Sequence, residues 1–406
     1  MRTTTNEFAE LEKSIHPLTQ GIGRGDAGLT LDKFECRGQG RSVWCRKAEL
    51  SRELIQNTKE APHGPMYYIG LDVHKRKISY RVKDSSGKVF AEGLLSATRL
   101  DLDLWMKTLP QPWSAAMEAT MFTGWIYDHL QPHAAALKVA HPLMLRAIAA
   151  AKKKNDRIDA RKICDCLRCD FLPECYMAST AIRERRRTLR YRNLLVRQMV
   201  QMKIKISALL MEAGVSYNKQ RLHKAGYFRE LLASNPDINE GLRALLRLCR
   251  ETVARLQKTE SALVRSLESD PLLMDRVERL MTIPAVGPIT ALTWALEVGD
   301  VQRFPSIKKA ISYCGLCGAE KSSGSTVQRT PLSKQRNKHL QTTLIEAAKM
   351  APRNSSALAL LYDQEKQNGN ANRATLAVAR KLVAYLMAVD RGQRTFQVVE
   401  TSNIAA

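Results

Sequence analysis

MYYIGLDVHKRKISYRVKDSSGKVFAEGLL, residues 66–95, alternates apolar and polar residues in runs separated by turn formers such as DSSG. A period of two is that of a half-buried strand, and Asp, Ser and Gly between the runs bring neighbouring strands together. The stretch predicts a meander of three strands at about 68–73, 77–84 and 88–95. Further on, TRLDLDLWMKTL reads as a helix, SAAMEAT as a short buried strand, MFTGWIYDHLQP as a helix and LKVAHP as another short strand, with a helix from about residue 142. Strands interleaved with helices in this order predict an α/β layer domain over residues 66–178.

Downstream the pattern changes. Leu195, Met199, Met202, Ile206, Leu209 and Ala213 recur at alternating steps of four and three. After a break at SNPDINEG, Leu242, Leu246, Cys249, Val253, Leu256 and Leu263 repeat most of that rhythm. Residues 179–270 are therefore expected to form a long helical hairpin or coiled coil with a seam for self-association. It opens with IRERRRTLRYR, where Arg185, Arg186, Arg187 and Arg190 are too dense for a simple solvated face and fit a phosphate-tracking surface. A mostly helical region, 271–395, follows. In it LMTIPAVGPITALTWAL has the form of a helix, a tight turn and a second helix, a helix-hairpin-helix-like unit able to offer backbone N–H groups to a phosphate. A polar loop, KSSGSTVQRTPLSKQRN, separates SIKKAISYCGLCG from two last helices, and 396–406 is a tail. At the other end, residues 1–65 are glycine-rich and polar, without a sustained hydrophobic period.

Lys and Arg outnumber Asp and Glu by 64 to 40, a formal charge of +24, which points to a polyanionic partner, nucleic acid first. No stretch has the roughly 18 uncharged apolar residues of a spanning helix, and no apolar signal segment follows the first residues. The expectation is a cytosolic protein acting on DNA. Its nine cysteines are then reduced thiols, with Cys164, Cys166, Cys169 and Cys175 read as helix-core residues rather than a zinc site.

Against this positive background certain carboxylates stand out. Asp72 ends an apolar strand and Glu118 another, where a lone buried carboxylate is costly unless a cation meets it. Asp156 and Asp159 sit three apart inside KKKNDRIDARK, residues 152–162. Taken alone that spacing favours ordinary solvated pairs on a helix face over metal ligands. Four acids converging at one sheet edge are what a two-metal phosphodiester site needs, and Mg²⁺ suits all-oxygen ligands. His74, His141 and His339 are each candidates for a base, but isolated histidines are more often surface or satisfied core residues.

YIGLDVHK, MEAT and KNDRIDAR, in this order, resemble the Asp, Glu, Asp, Asp set of the RuvC-type, ribonuclease-H-like domain of insertion-sequence 110 family transposases. SSGSTVQRTPLSKQRNKHLQTTLIEAAKMA resembles that family's second domain, in its insertion-sequence 1111 subgroup. The resemblance spans about residues 66–395 and implies a DNA recombinase that moves its own element, guided by an RNA encoded beside the gene. It implies catalytic and metal-binding roles for Asp72, Glu118, Asp156 and Asp159, and maps the family's nucleophilic serine onto Ser323, followed by Gly324. Arg329 and Lys334 become candidates for neutralising the phosphate, in a composite site formed between two domains of a homodimer or tetramer.

Departures from the family pattern are few. Ser322 stands where relatives carry an acid, Gln335 and Arg336 interrupt a Lys-x-Gly-Asn turn, and Ala285 replaces a first glycine. Met66 stands where relatives begin, so residues 1–65 are expected to be an extension from a start assigned too early. The rival readings are a RuvC-like, metal-dependent structure-specific nuclease that uses water, and a non-catalytic nucleic-acid-binding protein.

Overall fold

The structure, a computed structural model, describes residues 66–148, 155–324, 326–333 and 335–397. The extension expected over 1–65 lies outside the described residues. The chain divides between Thr180 and Ala181 into two compact units.

In the first unit the expected meander is present within a residue or two. It comprises β1 (Tyr67–Val73), β2 (Lys77–Lys83) and β3 (Val89–Ser96), followed by α1 (Arg99–Met106), β4 (Trp113–Glu118), α2 (Thr123–Leu130), β5 (Ala136–Ala140), α3 (Pro142–Ile148) and α4 (Asp156–Arg168). The mixed sheet runs β3-β2-β1-β4-β5, antiparallel through the meander and parallel from β1 across β4 to β5. A strand in parallel pairing at the centre of a sheet is usually covered on both faces, as β1 is. Ile69, Leu71 and Val73 of β1 pack with Trp113, Ala115 and Met117 of β4 and with Leu102, Trp105, Ile126 and Leu130 from α1 and α2. Burying each Val, Leu, Ile or Met side chain among them contributes about 1.5–3 kcal/mol. Tyr68, Gly70 and Asp72 alternate to the opposite face. There Ala116, Ala140 and Leu145 meet Ile163 and Leu167 of α4 in a second apolar cluster.

The second unit begins with α5 (Thr180–Glu212), α6 (Ala225–Ser234) and α7 (Glu240–Glu268). Ile206, Leu209 and Leu210 near the end of α5 share a core with Phe228 and Leu231 of α6 and Leu246 of α7. Elsewhere the seam is only partly closed: Leu195, Met199, Met202, Val253, Leu256 and Leu263 are half-buried, because two helices side by side cannot enclose an apolar stripe without a third layer.

The same unit continues through α8 (Met274–Met281), α9 (Pro288–Val298), α10 (Ile307–Tyr313), β6 (Gly318–Ser323), β7 (Thr326–Leu332), α11 (Lys338–Met350), α12 (Ser356–Gln367) and α13 (Ala371–Gly392). Helix α9 is buried on every side from Thr290 to Val298, which is why ITALTWAL shows no polar face. Between α8 and α9, Val286 donates its N–H to the Ile283 carbonyl at 3.0 Å. Ala285 in this turn has φ of +66°. That conformation costs a residue with a Cβ roughly 1–2 kcal/mol, so a glycine there would be unstrained.

Two acids are buried in this core. Asp390 accepts from Arg276 Nε at 2.8 Å, Arg276 Nη2 at 2.6 Å and Trp294 Nε1 at 2.8 Å. Glu297 accepts from Arg190 Nε and Nη2, each at 2.8 Å, and from Asn337 Nδ2 at 2.9 Å. Among the described residues no helix is long and apolar enough to cross a membrane.

The segment expected as a polar loop is instead a two-stranded ribbon. β6 and β7 pair antiparallel from Gly318↔Leu332 to Ser323↔Thr326. Thr326 and Val327 have the β-branched side chains that suit a strand, and Gly324, with φ of +58°, supplies the left-handed residue a two-residue connection requires. The polar run KSSGSTVQRT concealed these strands, since it carries no apolar alternation to reveal a period of two.

Candidate functional site

Helix α4 brings the KKKNDRIDARK acids to the sheet. Asn155 caps it, its Oδ1 accepting from the N–H of Arg157 at 2.8 Å and of Ile158 at 3.1 Å. The cap sets Asp156 and Asp159 in the first turn, where the helix dipole favours negative charge. How close this turn comes to β1 is decided at Gly70. A Cβ built there would lie 2.8 Å from Cys164 Cβ and closer still to the Ala160 carbonyl oxygen. Cys164 Sγ donates to the Tyr68 carbonyl at 3.2 Å, and Lys83 of β2 pairs with Asp165. A hydrogen atom at position 70 is thus what lets the helix rest on the strand.

Asp72, two residues beyond Gly70 on the same face, therefore meets α4. One donor atom each of Asp72, His74 and Asp156 lie within 4.8 Å of one another. His74 Nε2 is 3.2 Å from Asp72 Oδ2 and 3.5 Å from Asp156 Oδ1. Asp159 pairs with Lys162 of the same helix at 3.3 Å, both side chains partly buried. Glu118 follows Met117, which pairs with Leu71, so it occupies the register position beside Asp72. The alternation of β4 turns it to the α4 face, as Ala116 is turned. Asp72 and Asp156 are thus in one cluster, and the charge of Asp159 acts on Asp72.

Burial pushes the Asp72 carboxyl above its ordinary value of 3.8; the imidazole of His74 pulls it down, and the charges of Asp156 and Asp159 push it up again. Such crowding of carboxylates is relieved by a divalent cation, and the aspartate and imidazole donors are ones such ions accept. The residues fit a divalent metal. Sequence alone leaves His74 among the isolated histidines; the sign that marks it out is the Asp-x-His spacing at the end of β1, which sets it two residues past Asp72.

Gly70→Ala is expected to lower DNA cleavage by tenfold or more, because α4 must move outward and a misplacement of about 1 Å at reacting groups costs up to about 10²-fold. Cleavage assays on a variant that still melts cooperatively would check this; wild-type activity would show that α4 does not set the carboxylates.

In the second unit Ser323 is exposed and ends β6, directly before Gly324. Ser322, on the other face of the ribbon, donates to Glu320 Oε1 at 2.5 Å. The backbone of Arg329 pairs with Glu320; the Arg329 side chain and all of Lys334 lie outside the described residues.

The arginine-dense start of α5 has an internal cause. Arg185 binds Asp270 at 2.7 Å, Arg186 donates to the Leu296 carbonyl at 2.7 Å, and Arg190 holds Glu297. These guanidinium groups join α5 to the core of their own unit, and of the four arginines Arg187 is the exposed one without such a tie.

A five-stranded mixed sheet with acids gathered at β1, β4 and the helix packed on them is consistent with a ribonuclease-H-like domain. Comparisons make the assignment narrower. A DEDD transposase model of the IS110 type, described as Transposase, matches residues 69–214, and the model Transposase IS116/IS110/IS902 family matches residues 277–363. Together they take in more than half of the chain. The transposase for insertion sequence element IS1328 of Yersinia enterocolitica is 24% identical over 328 residues, which cover 77% of this chain and 93% of that protein. A probable family 20 transposase of Pseudomonas aeruginosa is 23% identical, covering 70% and 84% respectively. The transposase for insertion sequence element IS1111A of Coxiella burnetii is 23% identical, covering 60% and 68%. The chain belongs to the IS110 family of transposases, in kinship with IS1111-type members.

Proposed function

We propose that this transposase cuts and rejoins the DNA of its own insertion sequence, with Asp72, Glu118, Asp156 and Asp159 holding Mg²⁺ and Ser323 as nucleophile. The observation that carries the reading is the meeting of Asp72 and Asp156, from a central strand and a separate helix, at one edge of the sheet. Residues 66–178 are assigned the metal-dependent step, 179–270 the arm and self-association in a dimer or tetramer, and 271–395 the nucleophile. Bound Mg²⁺ would polarise the scissile phosphate and favour departure of the leaving oxygen. Ser323 Oγ attacks phosphorus and gives up its proton to solvent, and the sugar oxygen leaves with the electrons of the broken P–O bond and takes a proton from solvent. The phosphodiester to serine keeps the bond energy until the hydroxyl of an exchanged strand attacks phosphorus and restores the serine. Arg187, Arg329 and Lys334 neutralise backbone phosphates. Recognition of the target is assigned to base pairing with an element-encoded RNA, for which the chain needs no base-reading side chains.

Covalent trapping tests the reading in cells carrying the whole element. Protein-bound DNA is isolated and the attachment mapped by mass spectrometry in wild type, Ser323→Ala and Asp159→Ala. A DNA adduct on Ser323, absent from both variants, is the expected result. DNA cleavage without an adduct, lost only in Asp159→Ala, would leave the water-using nuclease in its place.

A further inference from the structure

We propose that His74 is itself a metal ligand, completing with Asp72 and Asp156 a nitrogen and oxygen donor set that binds Mn²⁺ more tightly than Mg²⁺. The proposal rests on the metal reading of this site and adds to it a ligand outside the four acids. Three observations carry it.

The first is placement. His74 follows the end of β1 two residues past Asp72, and its main-chain N–H donates to the Lys77 carbonyl at 2.9 Å across the β1–β2 connection. The backbone that orders Asp72 therefore orders His74 as well.

The second is distance. Ligands about 2.1 Å from a shared ion and at right angles to each other lie roughly 3 Å apart. The His74 Nε2 separations of 3.2 Å from Asp72 and 3.5 Å from Asp156 are close to that, whereas Asp159 is drawn toward Lys162. A small inward movement of each donor would close the set.

The third is access. The His74 side chain is 55% exposed and that of Asp156 61%, so one side of the cluster is open for water or a phosphate oxygen, as a catalytic ion requires. Lys75, Arg76 and Lys77 line the same recess and would draw a phosphate to it.

Imidazole suits first-row transition ions, while Mg²⁺ favours oxygen ligands and gives up its waters reluctantly. A histidine in this place thus predicts metal preference. Four acids alone would predict a weaker preference for Mn²⁺ over Mg²⁺.

The full-length protein, stripped of metal, is titrated with Mn²⁺ alone and followed by electron paramagnetic resonance, with pulsed detection of nitrogen coupling and ¹⁵N-histidine labelling. Coupling from one directly bound imidazole is expected. His74→Ala should abolish it and weaken Mn²⁺ binding at least tenfold, no less than loss of an outer-sphere partner does, while Mg²⁺ binding, read by competition, changes less than about twofold. Mn²⁺ binding that Asp72→Asn removes, but with no nitrogen coupling in wild type, would overturn the proposal and leave the carboxylate site standing. Mn²⁺ binding indifferent to Asp72→Asn would overturn the metal reading and the proposal with it.

Discussion

Asp72→Asn is expected to lower DNA cleavage by about three orders of magnitude and, in the absence of metal, to raise rather than lower the melting temperature of the protein. The first effect follows from what a metal-bound carboxylate supplies: transition-state charge stabilisation of several kcal/mol, each 1.36 kcal/mol being worth about tenfold in rate. The second follows from the surroundings of the side chain. Burial and the nearby charges of Asp156 and Asp159 disfavour the ionised form of Asp72, against a smaller opposing pull from His74. A group whose folded pKa lies above its unfolded one weakens the fold at pH values above both, so removing its charge stabilises near pH 7. The amide keeps the shape and can still hydrogen-bond to His74. Thermal melts with chelator, paired with cleavage of element DNA, check both parts. A lowered melting temperature in the variant would show that Asp72 serves the fold and not an ion.

Arg190→Ala is expected to cost about 3 kcal/mol. Breaking a buried pair by removing one partner costs about 3–5 kcal/mol, and the lower end applies because the Arg190 side chain is half exposed and Arg186 stands 3.9 Å from the same carboxylate. At about 2–4 °C per kcal/mol for a unit of this size, the melting temperature falls by roughly 6–12 °C. Burial works to raise the Glu297 carboxyl, but the hydrogen bonds and charge of Arg190, with help from Asn337 and Arg186, outweigh it and hold it below its ordinary 4.5. A depressed acid stabilises the fold above its unfolded pKa and loses that contribution as pH falls through the folded value. The stability gap between wild type and Arg190→Ala should therefore narrow below about pH 4.5. Calorimetry at pH 7 and pH 4 measures it, and a constant gap would mean that the arginine contributes packing rather than charge.

Some of this arrangement could be read before any coordinates. Alternation in MYYIGLDVHK and its continuation located three strands within a residue or two, because a half-buried strand writes its period into the chain. The β6–β7 ribbon escaped, since the run KSSGSTVQRT shows no apolar alternation. The arginines of α5 were legible as a cluster but not in purpose: Glu297 and Asp270 lie roughly a hundred residues away in the chain, and no local pattern pairs them with Arg190 and Arg185. His74 escaped for the opposite reason. Its neighbour in sequence, Asp72, was noticed, but the third member, Asp156, arrives only when α4 packs.

By itself, then, the sequence determined the strand and helix periods, the polyanion-seeking charge and the ordered acid motifs that carry the family resemblance, because each is a local or additive property of the chain. Tertiary structure alone decided which acids meet, that a histidine stands among them, and that most of the dense arginines face inward. Those outcomes depend on close approach between distant segments, and here the approach of α4 to β1 depends on position 70 having no side chain.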